Sequence, residues 1–238
     1  MALPDSLTEQ SPAFEGDAPV VHERKRGRPK ADTNASINEA QLLQTAFAMF
    51  AAQGYEASTM RAMARELGVS HNLLNVRFGR KSELWKAAVD WRLAEASRDV
   101  EMAFASAASS EDQLRDLVHR FCRWSIANSD IVAMSYSEGQ QQSWRLDHLT
   151  AQFILPFQKR LQRLLGDVAS RRDLTPLGSG ALMAILVHGV SSYFALGPLQ
   201  AKLLPDTYGA AGLLTDQEAH ADAMAQFLLA GLLVDRKT

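Results

Sequence analysis

From Ile37 onward, apolar residues recur at helical spacing, and no stretch alternates as a half-buried strand would. Leu43, Ala46, Phe47 and Phe50 form a first stripe, which Gly54 closes in the position of a C-terminal glycine. Ser58-Thr59 offers an N-cap for a second stripe, Met60, Met63, Ala64 and Leu67, spaced i, i+3, i+4, i+7. Gly68 ends that helix, and Ser70 caps a third, short one running to about Arg77. Lys81-Ser82 then opens a longer helix through Leu84, Trp85, Ala88, Val89, Trp91 and Leu93. The same reading predicts helices at about 81–107, 112–128, 131–142, 146–169, 177–196 and 216–235. Breaks fall at Ser109-Ser110, Ser129-Asp130, Ser143, Arg171 to Pro176, and a Gly- and Pro-bearing loop over 197–215. Pro156 inside the 146–169 helix is expected to kink it. The fold class is all-α.

Residues 1–36 differ in texture: Pro, Ser, Glu, Asp, Thr and Ala with few large apolar side chains, a composition that cannot bury enough surface to fold. They read as a disordered arm. The net charge of −2 conceals an uneven distribution. Residues 1–21 carry −4, residues 22–86 carry +5, and residues 87–238 carry −3. A basic segment inside an acidic remainder suggests a polyanionic partner. One cysteine, Cys122, excludes an internal disulfide framework and a cysteine-based zinc site, and neither a metal nor a cofactor is expected. No stretch reads as a membrane span or a signal peptide, so the expected setting is cytoplasmic.

The informative segment is the helix, turn and helix of residues 59–77. Its turn, Leu67-Gly68-Val69-Ser70, sets a glycine where the chain must enter a left-handed conformation, then a buried valine, then a cap. That is what a helix-turn-helix needs if its second helix is to enter the major groove. The outward positions Ser70, His71, Asn72, Asn75 and Arg77 can all form hydrogen bonds; Asn suits adenine, Arg suits guanine or phosphate, and Leu73 suits a thymine methyl. At the end of the arm stands the basic run 24–30, with Arg26-Gly27-Arg28 at its centre. Glycine between two arginines permits close approach to a narrow minor groove, as in an AT-hook core; a basic linker with general phosphate affinity is the plainer alternative.

The run "FAAQGYEASTMRAMARELGVSHNLLNVRFGRKSELW" resembles the DNA-binding domain of the TetR family of bacterial transcriptional regulators. The matching features are Phe50, Gly54-Tyr55, Ser58-Thr59, Ala64, Gly68-Val69-Ser70, Leu74, Phe78, Lys81 and Glu83-Leu84. The resemblance implies a three-helix head over 37–86, a helical ligand-binding and dimerisation body over 87–238, a homodimer, and repression relieved by a small molecule. It also implies that Ser58 and Thr59 lie at the DNA, with Thr59 as cap and phosphate contact, and that Lys81 meets a phosphate. The chain departs from the family pattern at Asn72, Leu73, Asn75 and Arg77, which alters the expected site sequence but leaves groups competent to bind DNA.

In the body, the last two helices carry Gly180, Ala181, Ala184 and Gly189, and Ala219, Ala223, Ala230 and Gly231, small enough for close helix approach across a two-fold axis. Leu182, Ile185, Phe227, Leu228 and Val234 supply apolar area there. Phe121, Trp124, Tyr136, Trp144 and His148 are the candidate ligand-binding residues, although aromatic stripes at helical spacing are more often plain core than pocket. The expected function is thus a ligand-responsive regulator, most simply a repressor on an inverted-repeat operator, with an apolar or amphipathic effector. An architectural A·T-rich DNA binder and a transcriptional activator are the alternatives. An enzyme is disfavoured, since the histidines are scattered and no metal or triad pattern appears; His119 and Cys122, at i and i+3, leave a metal or thiol sensor open.

Overall fold

The computed structural model describes residues 38–105, 109–175, 178–209 and 215–233. Among them there is no strand; one isolated bridge joins Leu174 to Leu233.

Asn38 caps α1 (Glu39–Ala57), its side-chain oxygen accepting from the Ala40 N–H at 3.1 Å. The helix breaks at Gly54, whose φ of 78° and ψ of 166° turn the chain before one last winding. Thr59 then caps α2 (Met60–Glu66) by accepting from Ala62 N–H at 3.1 Å, and Ser70 caps α3 (His71–Phe78) by accepting from Leu73 N–H at 3.1 Å. Between them Gly68 stands at φ 65°, where a side chain would cost about 1–2 kcal/mol. Val69 anchors the turn in the core. The next helix, α4 (Lys81–Ala105), runs from the head into the body.

The body follows as α5 (Ser110–Ala127), α6 (Ser129–Gly139), α7 (Trp144–Leu149), α8 (Leu155–Ala169), α9 (Gly178–Ala184), α10 (Ser191–Ala195), α11 (Gly197–Leu203) and α12 (Gln217–Leu232). Two π-helical segments interrupt it: Thr150–Ile154 between α7 and α8, and Ile185–Val190 between α9 and α10. The first explains how the rod carries Pro156. Proline has no N–H for the carbonyl four residues back, and the turn before it widens so that Leu155 N–H reaches Thr150. The backbone there stays helical, with Ile154 at φ −70° and ψ −51°. The expected 197–215 loop is corrected in its first part, because α11 occupies Gly197–Leu203. Pro198 lies in the first turn of α11, where proline is tolerated because that N–H has no helical partner.

Two cores share α4. One packs Phe47, Phe50, Met63, Leu74, Leu84 and Trp85 in the head and continues to Leu93 on α4, Ile131 and Met134 on α6, and Leu149 on α7. The other gathers α5, α8, α12 and the α9–α10 rod around Leu117, Phe121, Leu161, Leu186 and Leu229. Each such side chain, fully buried, contributes roughly 1.5–3 kcal/mol. The head is therefore wedged onto α6 and α7 rather than hung from a linker. Among the described residues no single helix is long and apolar enough to cross a membrane.

Candidate DNA-reading head and ligand cavity

Burial of Leu74 and partial burial of Leu73 and Phe78 fix α3 against the head core and turn its other face outward. His71, Asn72, Asn75 and Arg77 stand exposed on that face, with Ser70 at its start. Asn75 Nδ2 lies 3.2 Å from His71 Nδ1, an i, i+4 contact that orders both side chains. Arg77 reaches back to Glu39 at 2.7 Å, a surface pair that DNA would have to displace. Val76, 76 % exposed, joins the same surface. The sequence reading did not single it out, although its neighbours Asn75 and Arg77 are polar.

Ser58 is a correction. It is fully buried, its hydroxyl donating to the Gly54 carbonyl at 2.8 Å, so it plugs the break in α1 and does not face DNA. Lys81 is only half-exposed. Its ammonium donates to the carbonyls of Tyr55 at 2.9 Å and Ser58 at 3.1 Å and sits 4.1 Å from the Tyr55 ring centre. At most one of its three protons is left for a phosphate. Arg26 and Arg28 lie outside the described residues.

The body holds a cavity of about 760 Å³ that is partly open to solvent. Its walls come from α4 (Leu93, Ser97, Val100), α5 (Phe121, Trp124), α6 (Ile131, Ser135, Tyr136), α8 (Phe157) and both π-helical segments (Gln152, Phe153, Val187, His188). Widened turns frequently mark functional sites, and here both contribute wall. Phe121 and Trp124 pack with ring centres 5.4 Å apart and planes tilted by 31°, and Tyr136 meets His188 edge-on at 5.8 Å.

Trp144 and His148 are corrections: neither lines the cavity. On α7 they share one face, at i and i+4, and it is turned to the head. Trp144 packs on Trp85 at 5.2 Å and Tyr55 at 5.4 Å, while His148 contacts Trp85 and lies 2.6 Å from Asp90. Leu146 and Leu149 take the cavity side. Between these faces Arg145 forms a buried ion pair with Glu138, at 2.8 and 2.9 Å, and its guanidinium lies 4.6 Å from the Tyr55 ring centre. Burial, and secondarily the Glu56 carboxylate, push the Tyr55 phenol above its ordinary range, against the opposing pull of Arg145. Neither Glu138 nor Arg145 was singled out from the sequence, because pairing across the α6–α7 turn leaves no periodic signal.

Cys122 is buried, and burial pushes its thiol up to about 12, so it is a protonated packing residue at neutral pH. His119 lies 3.0 Å from Asp222 on α12. No cluster of metal-ligating side chains occurs among the described residues.

Residues 42–88 match the family described as bacterial regulatory proteins, tetR family. The head is a TetR-family DNA-binding domain. Beyond that head, the chain resembles solved structures over most of its length. A Clostridium perfringens protein provisionally named a fatty acid metabolism regulator superposes with a TM-score of 0.66 at 18% identity, over 82% of this chain and 99% of that one. The ketosteroid transcriptional regulator KstR2 of Mycobacterium tuberculosis gives 0.63 at 18%, over 84% and 98%. FadR from Bacillus subtilis, in complex with stearoyl-CoA, gives 0.59 at 13%, over 82% and 99%. At these identities the likeness is one of fold. No curated protein matches the chain. A TetR-family head on an all-α body is the architecture of a transcription regulator, not of an enzyme.

Proposed function

We propose that the chain is a homodimeric repressor that binds an inverted-repeat operator and is released by a small apolar or amphipathic molecule in the body cavity. The observation that carries this reading is the single helix α4, which belongs to the head core at Trp85 and to the cavity wall at Leu93, Ser97 and Val100. Ligand that repositions α4, or the α6–α7 corner against Tyr55 and Trp85, changes the angle of the head. A dimer with altered head spacing no longer fits successive major grooves, and the population leaves the DNA.

In this reading residues 37–86 are the DNA-binding unit and 87–238 the ligand and dimer unit. Thr59, Ser70, His71, Asn72, Leu73, Asn75, Arg77 and Lys81 contact DNA, and Arg26 and Arg28 enter the adjacent minor groove. Phe121, Trp124 and Tyr136 contact ligand. Exposed Ala184, Ile185 and Gly189, with exposed Ala223, Phe227, Ala230 and Gly231, form the two-fold face, a patch that water alone would cover poorly. Leu182 is excluded from that face because it is buried in its own protomer, and Val234 lies outside the described residues. Such a protein acts in the bacterial cytoplasm, at the nucleoid. The named relatives of similar fold, a ketosteroid regulator and a regulator holding stearoyl-CoA, support a hydrocarbon-rich effector.

Selection of duplexes from a random library by the purified full chain, at near-physiological salt, tests the first half. An inverted repeat is the expected product. Only A·T-rich DNA without symmetry would overturn the dimeric reading in favour of an architectural binder dominated by the basic arm.

A further inference from the structure

The outward residues of α3 do not all stand equally far from the head core. Leu74, fully buried, anchors the helix there. At about 100° per residue, Asn72 and Val76 lie within about 20° of the direction opposite Leu74 and form the crest of the helix. His71 and Arg77 fall to the flanks and are engaged there, with Asn75 at 3.2 Å and Glu39 at 2.7 Å. Leu73, the residue that the sequence offers for a thymine methyl, packs partly against the head core. Val76, by contrast, is about three-quarters exposed.

A valine at that place adds little to folding. Its side chain buries little surface, and β-branched residues lower helix propensity. What it offers is a pair of methyl groups held in one strongly preferred rotamer, so that little side-chain freedom is left to lose on contact. In the major groove guanine, cytosine and adenine present hydrogen-bonding edges, and thymine adds an apolar C5 methyl. Valine pressed on a polar edge strips its water and returns no hydrogen bond, which is unfavourable. Valine pressed on the thymine methyl buries apolar surface on both sides.

Resting on the reading of α3 as the helix that enters the major groove, we infer that Val76 is a specificity-determining residue, recognising the C5 methyl of one thymine per head.

The test uses the full chain and the operator recovered from the random library. Each thymine is replaced singly by uracil, which removes the C5 methyl and keeps every hydrogen-bonding group of the base. At one position per head the parent is expected to lose about fourfold in affinity, and about fifteenfold when both halves of an inverted repeat are altered. Val76→Ala is expected to show no further loss with uracil at that position. Alanine is the better helix former, so thermal unfolding of this variant should be undiminished, which separates a lost contact from a lost fold. An equal uracil effect in the variant and the parent, or none at any thymine in the parent, overturns the inference while the recovered operator still upholds α3 as the reading helix. A library that yields no base preference overturns that reading, and this inference with it.

Discussion

At Gly68 the turn between α2 and α3 depends on one positive φ with open space around the missing side chain. Gly68→Ala therefore creates backbone strain without a clash, and thermal unfolding should show a loss of about 1–2 kcal/mol. Neighbouring Ser70 holds the first turn of the reading helix through one hydrogen bond, so its loss to alanine costs less, about 1 kcal/mol. Arg77 separates two modes of reading. If it meets phosphate, Arg77→Ala weakens binding on all sequences and flattens the salt dependence by about one ion; if it meets guanine, preference is lost at one base. Equal affinity of the variant and the parent on every duplex would remove Arg77 from the DNA site. Cys122, buried with a thiol raised to about 12, should resist alkylation at pH 8 in the native protein and react once it is unfolded. Rapid labelling of the folded chain would contradict its place in the core.

At the level of elements, the α6–α7 corner carries the most consequential contact. Glu138 and Arg145 are both buried, and removing Arg145 leaves the Glu138 carboxylate buried without its ion-pair partner. Arg145→Ala should cost about 3–5 kcal/mol by denaturant unfolding, much more than an exposed pair such as Arg77–Glu39 would. The double variant Arg145→Met with Glu138→Leu should recover most of that stability. It should nevertheless weaken the ligand response of DNA binding, because the corner would lose its fixed hold on Tyr55. Recovery of stability with an unchanged ligand response would move the coupling to α4 alone.

For the whole molecule, the exposed face on α12 and the α9–α10 rod is where association is tested. Phe227, 75 % exposed and surrounded by alanine and glycine, is its largest side chain. Phe227→Glu should yield a monomer in analytical ultracentrifugation, with the head still folded and operator affinity reduced by at least about a hundredfold, since one head supplies only half of the contacts. A dimer that persists in this variant would relocate the interface.

Local signals determined much of this protein from sequence alone. The all-α class follows from a 3.6-residue period, and the helix-turn-helix from two caps and a glycine that a reader can place because caps and positive φ depend on a few adjacent residues. Phe121, Trp124 and Tyr136 lie on α5 and α6, helices that the periodicity predicts, and line the cavity. Tertiary structure alone decided that Trp144 and His148 turn to the head, that Ser58 closes a break in α1, and that Glu138 meets Arg145. It also decided that Pro156 follows a π-helical turn and that Pro198 begins a helix. The reason is physical. Periodicity shows that a helix has faces, but which neighbour a face meets is set by helices far away in sequence, and a polar side chain has no partner until those helices pack.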